Sequence, residues 1–142
     1  MVAIACDHGG FELKKELIKH LEKQGIDTRD FGCDSADSCD YPDYAHLVTD
    51  AIKSGEADKG ILLCGTGIGM SIAANKVEGI RAALCSDCFS AEATRLHNDT
   101  NVLCMGARVI GPELAFKIAD IWLGTEFSDE ERHNRRIGKI EC

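Results

Sequence analysis

A chain of 142 residues, 44% apolar and 28% charged, has the size and composition of one globular domain with one core. Its formal net charge of −8 excludes a general nucleic-acid surface, which needs basic patches to neutralise phosphates, and no apolar run approaches the roughly 20 residues of a membrane span. Eight cysteines without a secretory leader are expected to be reduced, buried thiols of a cytoplasmic protein and not a disulfide framework.

Val2-Ala3-Ile4-Ala5-Cys6 predicts a buried strand stopped by Asp7-His8-Gly9-Gly10, after which Phe11, Leu13, Leu17, Ile18 and Leu21 recur at helical spacing. Gly25 ends that helix, and Ile26 to Phe31 is a weaker strand with Asp and Arg interleaved, as a sheet edge tolerates. Gly32 to Asp40 is polar and turn-rich. Tyr41-Pro42-Asp43 then opens a helix with Tyr44, Val48, Ala51 and Ile52 as its apolar positions, closed by Gly55. A third strand ends at Cys64, followed by Gly65-Thr66-Gly67-Ile68-Gly69 and a small-residue helix from about Ile68 to Lys76. Ile80 to Cys85, Asp87 to about Leu96 and Thr100 to Met105 read as strand, helix and strand. Gly111-Pro112 opens a fifth helix with Leu114, Ile118, Ile121 and Trp122 on one face; Gly124 stops it, and a charge-dense segment from Ser128 to Lys139 remains.

Strands alternating with helices at this spacing imply right-handed crossovers and a five-stranded parallel sheet covered on both faces. Ligands of such sheets bind outside the carboxyl ends of the strands, where the Asp7-His8-Gly9-Gly10 loop and the Cys64 turn both lie. Glycines let backbone approach a ligand closely, and first-turn amides favour an anion. A thiol at the head of such a turn is a thiolate candidate. The spacing Gly65-x-Gly67-x-Gly69 is neither a dinucleotide fingerprint nor a P-loop, although Asp87 about 20 residues on keeps nucleotide binding open. Asp7 can be a helix N-cap, and His97-Asn98-Asp99 a helix C-terminus. Cys85-Ser86-Asp87-Cys88 has the spacing of a redox or metal pair, but no second pair completes a zinc site. In the tail, Arg132 and Arg136 share a helix face, either as a solvated face paired with Asp129, Glu130 and Glu131 or as a phosphate clamp.

Cys6-Asp7-His8-Gly9-Gly10, Asp40-Tyr41-Pro42, Cys64 to Lys76, Gly79-Ile80-Arg81-Ala82, His97 to Leu103 and Gly106 to Gly111 together resemble ribose-5-phosphate isomerase B, with several motifs in the same order over nearly the whole chain. The resemblance implies a single three-layer α/β/α, Rossmann-like domain over residues 1–142, with a C-terminal helical extension of about 125–142 at a homodimer interface, the dimers sometimes pairing as tetramers. It also implies interconversion of ribose 5-phosphate and ribulose 5-phosphate without metal or cofactor. With Cys64 and Ile68 at the two branch-defining positions, the chain resembles the cysteine branch. By the same resemblance Cys64 is the base between C2 and C1, assisted by Thr66. The amides of Gly65, Gly67 and Gly69, with Ser71 nearby, hold the enediolate. Asp7, His8 and Tyr41 line the sugar pocket, His97 opens the furanose with Asn98 beside it, and Arg108, Arg132 and Arg136 with His8 hold the phosphate. Arg135 is the neighbouring alternative to either tail arginine, and Cys88-Phe89 departs from the Pro-Tyr pair frequent in relatives.

The residues support this chemistry independently of the resemblance. An aldose–ketose isomerase needs a reversible base, donors aimed at an enediolate, a separate acid/base for the ring and a remote grip on phosphate. His97 precedes the fifth strand and so belongs at the amino edge of the sheet, opposite Cys64, which predicts that His97 and Asn98 reach the site from a partner subunit. The rival expectations are the same chemistry on allose or galactose 6-phosphate, and a non-enzymatic nucleotide-binding module in which Cys64 only packs.

Overall fold

The computed structural model describes all 142 residues. β1 (Val2–Cys6) passes through a 3-10 turn at His8–Gly10 into α1 (Phe11–Lys23) and β2 (Thr28–Asp30). There follow α2 (Tyr41–Lys53), β3 (Lys59–Cys64), α3 (Ile68–Asn75), β4 (Ala82–Leu84), α4 (Cys88–Asn98), β5 (Val102–Gly106), α5 (Pro112–Gly124) and α6 (Glu131–Ile140). The strands form one parallel sheet in the order β2-β1-β3-β5-β4, in a three-layer α/β/α, Rossmann-like arrangement.

Side chains alternate across the sheet with the period of two that a strand imposes. Ile61 and Leu63 join Leu13, Leu17, Ile118 and Trp122 under α1 and α5, whereas Leu62 and Cys64 join Ala45, Val48, Met70 and Ala74 under α2 and α3. Burial on both faces is why the central strands read as continuous apolar runs. The edge strands are shorter than their sequence windows: β2 keeps only Thr28–Asp30 and β4 only Ala82–Leu84, each pairing on one side. α4 is longer than its window, so His97 and Asn98 occupy its last turn and do not follow it. It starts on Asp87, whose carboxylate accepts the Ser90 N–H at 2.7 Å, and stops at Asp99, which takes a left-handed conformation with φ 44°. The charged tail folds as α6 against α4, with His133 its one buried residue.

The sheet places the crevice. From β1 the chain moves outward to β2, then returns to lay β3 on the other side of β1, so the loops after β1 and β3 diverge over the carboxyl edge. They nevertheless touch: a Cβ added at Gly9 would stand 3.2 Å from the Gly65 nitrogen.

Candidate active site

Cys64 ends β3 with its side chain 5% exposed, and its Sγ accepts the Gly67 N–H at 3.0 Å. The bond exists because Gly67 is left-handed, φ 79°, turning its amide back toward the sulfur as the N-cap of α3. Thr66 is exposed beside it, its Oγ1 accepting the Ile68 N–H at 3.2 Å, and Ser71 Oγ donates to the Ile68 carbonyl at 2.8 Å. The turn is braced from β5: Ala107 and Arg108 donate backbone N–H groups to the carbonyls of Cys64 and Gly65 at 2.8 and 3.0 Å.

Around the turn stand other residues named from the sequence. Asp7 is buried at the end of β1, donates its N–H to the Leu63 carbonyl at 3.1 Å, and accepts the Gly9 N–H on Oδ1 at 2.8 Å, the N-cap role its position suggested. His8 accepts the Cys39 backbone N–H on Nδ1 at 3.3 Å, which puts the proton of a neutral ring on Nε2. Tyr41 lies over Gly69, where a Cβ would meet its ring at 2.6 Å, and Arg108 lies over Gly65, where a Cβ would stand 3.5 Å from Cδ. Arg108 is exposed and has no carboxylate partner. Asp7, His8, Tyr41, Cys64, the glycine turn, Ser71 and Arg108 therefore share one end of the sheet.

His97, Asn98, Arg132 and Arg136 do not join them within the chain. α4 ends just before β5 begins, and Cys64 pairs with Gly106, four steps along β5 from Val102. At about 3.3 Å per residue the two ends are separated by about 13 Å along the strand alone. His97 is exposed and stacks on His133 with ring centroids 4.5 Å apart and planes 18° apart. The Asn98 side chain accepts the Thr94 hydroxyl at 3.1 Å and its carbonyl accepts Arg81 Nε at 2.8 Å. On α6, Arg135 pairs with Glu131 at 2.9 Å and Arg132 with Glu130 at 2.9 Å, whereas Arg136 has no carboxylate partner.

Three contacts near the site are encoded by no motif spacing or periodicity. His133 backs His97. Cys39, in the polar loop before α2, fixes the His8 ring. Arg81 and Arg95 clamp the turn after α4: Arg81 Nη2 donates to the Asp99 carbonyl at 2.8 Å, and Arg95 Nη1 donates to Asp99 Oδ1 and the Thr100 carbonyl at 2.8 and 2.6 Å. Two of these residues carried a signal: Arg81 lies within the Gly79-Ile80-Arg81-Ala82 motif, and His133 lies in the basic run of the tail with Arg132, Arg135, Arg136 and Lys139. The Cys85 and Cys88 thiols are not bonded to each other, and burial pushes Cys85 up to about 11, the pattern of a packed thiol.

A concavity of about 490 Å³ lies away from Cys64, along the exposed edge of β4, between Arg81, Leu84, Phe89, Asn98 and Ile140. Leu84, Phe89 and Ile140 line it as exposed apolar side chains, and Ile68 and Ile72 are exposed on α3, which packs beside β4. Leu84 also adjoins the site, since a Cβ on Gly67 would meet its Cδ1 at 2.5 Å. No helix is long and apolar enough to cross a membrane.

Residues 2–140 match the family described as Ribose/Galactose Isomerase. The Bacillus subtilis protein YwlF is 60% identical over 140 residues, covering 98% of this chain and 93% of the relative. Ribose-5-phosphate isomerase B of Escherichia coli is 51% identical over 139 residues, covering 98% and 93%. The solved structure of a ribose 5-phosphate isomerase from Thermotoga maritima superposes with a TM-score of 0.96 at 54% identity, covering 99% of this chain and 96% of that one.

Proposed function

The chain belongs to the ribose/galactose isomerase family, and on that premise we propose that it interconverts ribose 5-phosphate and ribulose 5-phosphate with Cys64 as the base. The observation that carries this assignment is the turn itself: a nearly buried sulfur at the end of a central strand, held by the Gly67 amide, with Asp7 and an unpaired Arg108 beside it.

His97 takes the anomeric hydroxyl proton and returns a proton to the ring oxygen, opening the furanose to the aldehyde. The Cys64 thiolate removes the C2 proton and delivers it to C1, while a proton passes from O2 to O1 with the help of Thr66. The amides of the Gly65 to Gly69 turn, with Ser71 beside them, face the negative charge of the enediolate. Asp7, His8, Tyr41 and Asn98 hold the sugar hydroxyls. Arg108, Arg132, Arg136 and His8 grip the phosphate, which orients the reacting carbons from a distance. The pairing of Arg135 with Glu131, against the unpaired Arg136, supports the choice of Arg136.

The active unit is a homodimer in the cytoplasm, with His97, Asn98, Arg132 and Arg136 supplied across the interface. Their separation from Cys64 within one chain supports this, as does the apolar margin of β4 and α3. Following ribulose 5-phosphate formation tests the assignment: Cys64→Ser should lose at least about a thousandfold in turnover, since a serine hydroxyl is a far weaker acid than a thiol. Wild-type-like turnover in that variant would sink the cysteine mechanism. Mixed Cys64→Ala and His97→Ala chains should regain activity in hybrid dimers; no recovery despite subunit exchange would refute the shared site. Galactose 6-phosphate is the parallel substrate to assay, because the family description names that sugar as well.

A further inference from the structure

We propose that His133 is a positioning residue for His97: its ring is the back plate that fixes the plane of the ring-opening imidazole and ties it to the arginine arm of α6. This rests on the isomerase assignment above. The two rings lie face to face, 4.5 Å between centroids and 18° between planes, with His97 exposed and His133 only 5% exposed. One ring therefore faces outward to substrate and the other supports it from behind.

His133 Nε2 is the one buried side-chain nitrogen or oxygen in the chain without a hydrogen-bond partner. Buried polar atoms are nearly always paired, so the orphan says that no hydrogen bond aims this ring from inside; the stack and the packing of α6 on α4 do. The groups facing it are His97 from α4 and, on its own arm, Glu130, Arg132 and Arg136. Burial first, then His97 and Arg132, hold the His133 imidazole below its ordinary range, with Glu130 opposing. These surroundings favour the neutral form of the His133 ring. When His97 takes the anomeric hydroxyl proton, the imidazolium lies over a neutral π face, which attracts it. Because Arg132 and Arg136 flank His133 on one short helix, the ring-opening group and the phosphate grip move as one piece.

The chemistry provides a readout that separates positioning of His97 from general damage. Ribulose 5-phosphate has its O5 blocked by phosphate and cannot close a five-membered ring, so exchange of its C1 proton with solvent needs Cys64 and the phosphate grip but not ring opening. In deuterium oxide the thiolate takes a C1 proton, the thiol exchanges, and deuterium returns to C1. His133→Ala should lose at least tenfold in turnover of ribose 5-phosphate while keeping C1 exchange into ribulose 5-phosphate within about threefold. His97→Ala should show the same split, and adding His133→Ala to it should cost nothing more. His133→Phe keeps the stack and removes the orphan nitrogen; it should hold ribose 5-phosphate turnover within about threefold and melt no lower than the parent. Equal loss of both activities in a folded His133→Ala protein, or no loss of either, would overturn the proposal while leaving the assignment standing, as would a Phe variant that behaves like Ala. Absence of both activities in the unmodified protein would remove the assignment and the proposal with it.

Discussion

Gly106→Ala should act on the site through one backbone contact. Gly106 ends β5 opposite Cys64, and a Cβ there would lie 2.5 Å from the Thr66 carbonyl oxygen, 2.6 Å from its carbon and 2.8 Å from its Cα. These are main-chain atoms, so no side chain can swing aside. The Thr66 peptide must retreat by about 0.5 to 0.9 Å, and overpacking of this kind costs about 1–3 kcal/mol. For a chain of this length the melting point should fall by about 3–9 °C. Movement of Thr66 also draws Gly67 away from Cys64, lengthening the 3.0 Å N–H to sulfur contact and displacing the donors that face the enediolate. Misplacement by an ångström can cost about a hundredfold in rate, so kcat should drop about 10- to 100-fold. KM should change less than kcat, since of the phosphate grip only Arg108 touches this turn, while His8, Arg132 and Arg136 lie outside the contact. Thermal melts and ribulose 5-phosphate formation measure both effects. Gly138→Ala is the control: nothing lies within 4 Å of its added Cβ, and replacing a helical glycine should stabilise by about 0.5–1 kcal/mol. A Gly106→Ala protein with parental melting and turnover would refute the wedge.

Arg108→Ala should raise KM for ribose 5-phosphate at least tenfold with a smaller effect on kcat, because its guanidinium faces the site without a carboxylate partner; an unchanged KM would remove it from the phosphate grip. Lys14→Met should lower urea stability by about 1–3 kcal/mol, because Nζ, buried under the sheet, donates to the Cys33 carbonyl at 2.6 Å and to Asp30 at 2.7 Å; a midpoint equal to the parent's would contradict that accounting. Alkaline pH should unfold the protein progressively. Burial pushes the Cys6 thiol up to about 12, Cys85 to about 11 and Cys104 further still, while unfolded thiols ionise near 9. The unfolded chain therefore loses protons first: the stabilisation is complete below pH 9 and falls as pH rises through the folded values. A melting point flat from pH 8 to 10.5 would exclude these thiols as the cause.

Much of the architecture was legible because it is locally dictated. A strand buried on both faces must be apolar throughout, so Val2–Cys6 and the run into Cys64 declare themselves, and Gly67 is required by a positive φ at the helix start. With the chain order of strands and helices fixed, the carboxyl edge collects Asp7, His8 and Cys64, and the amino edge collects His97 and Asn98. That separation follows from chain order alone. The extents of β2 and β4 do not, since an edge strand's length depends on how far its one neighbour continues to pair. Nor do the contacts of residues remote in sequence. Arg108 reaches Gly65, Cys39 holds His8 across 31 residues, and His133 stacks on His97. No periodicity encodes such pairs, because they arise only when separate elements pack. The sequence determined which end of the sheet carries the thiol and its glycines; the tertiary structure decided which rings and guanidinium groups are brought to bear on them.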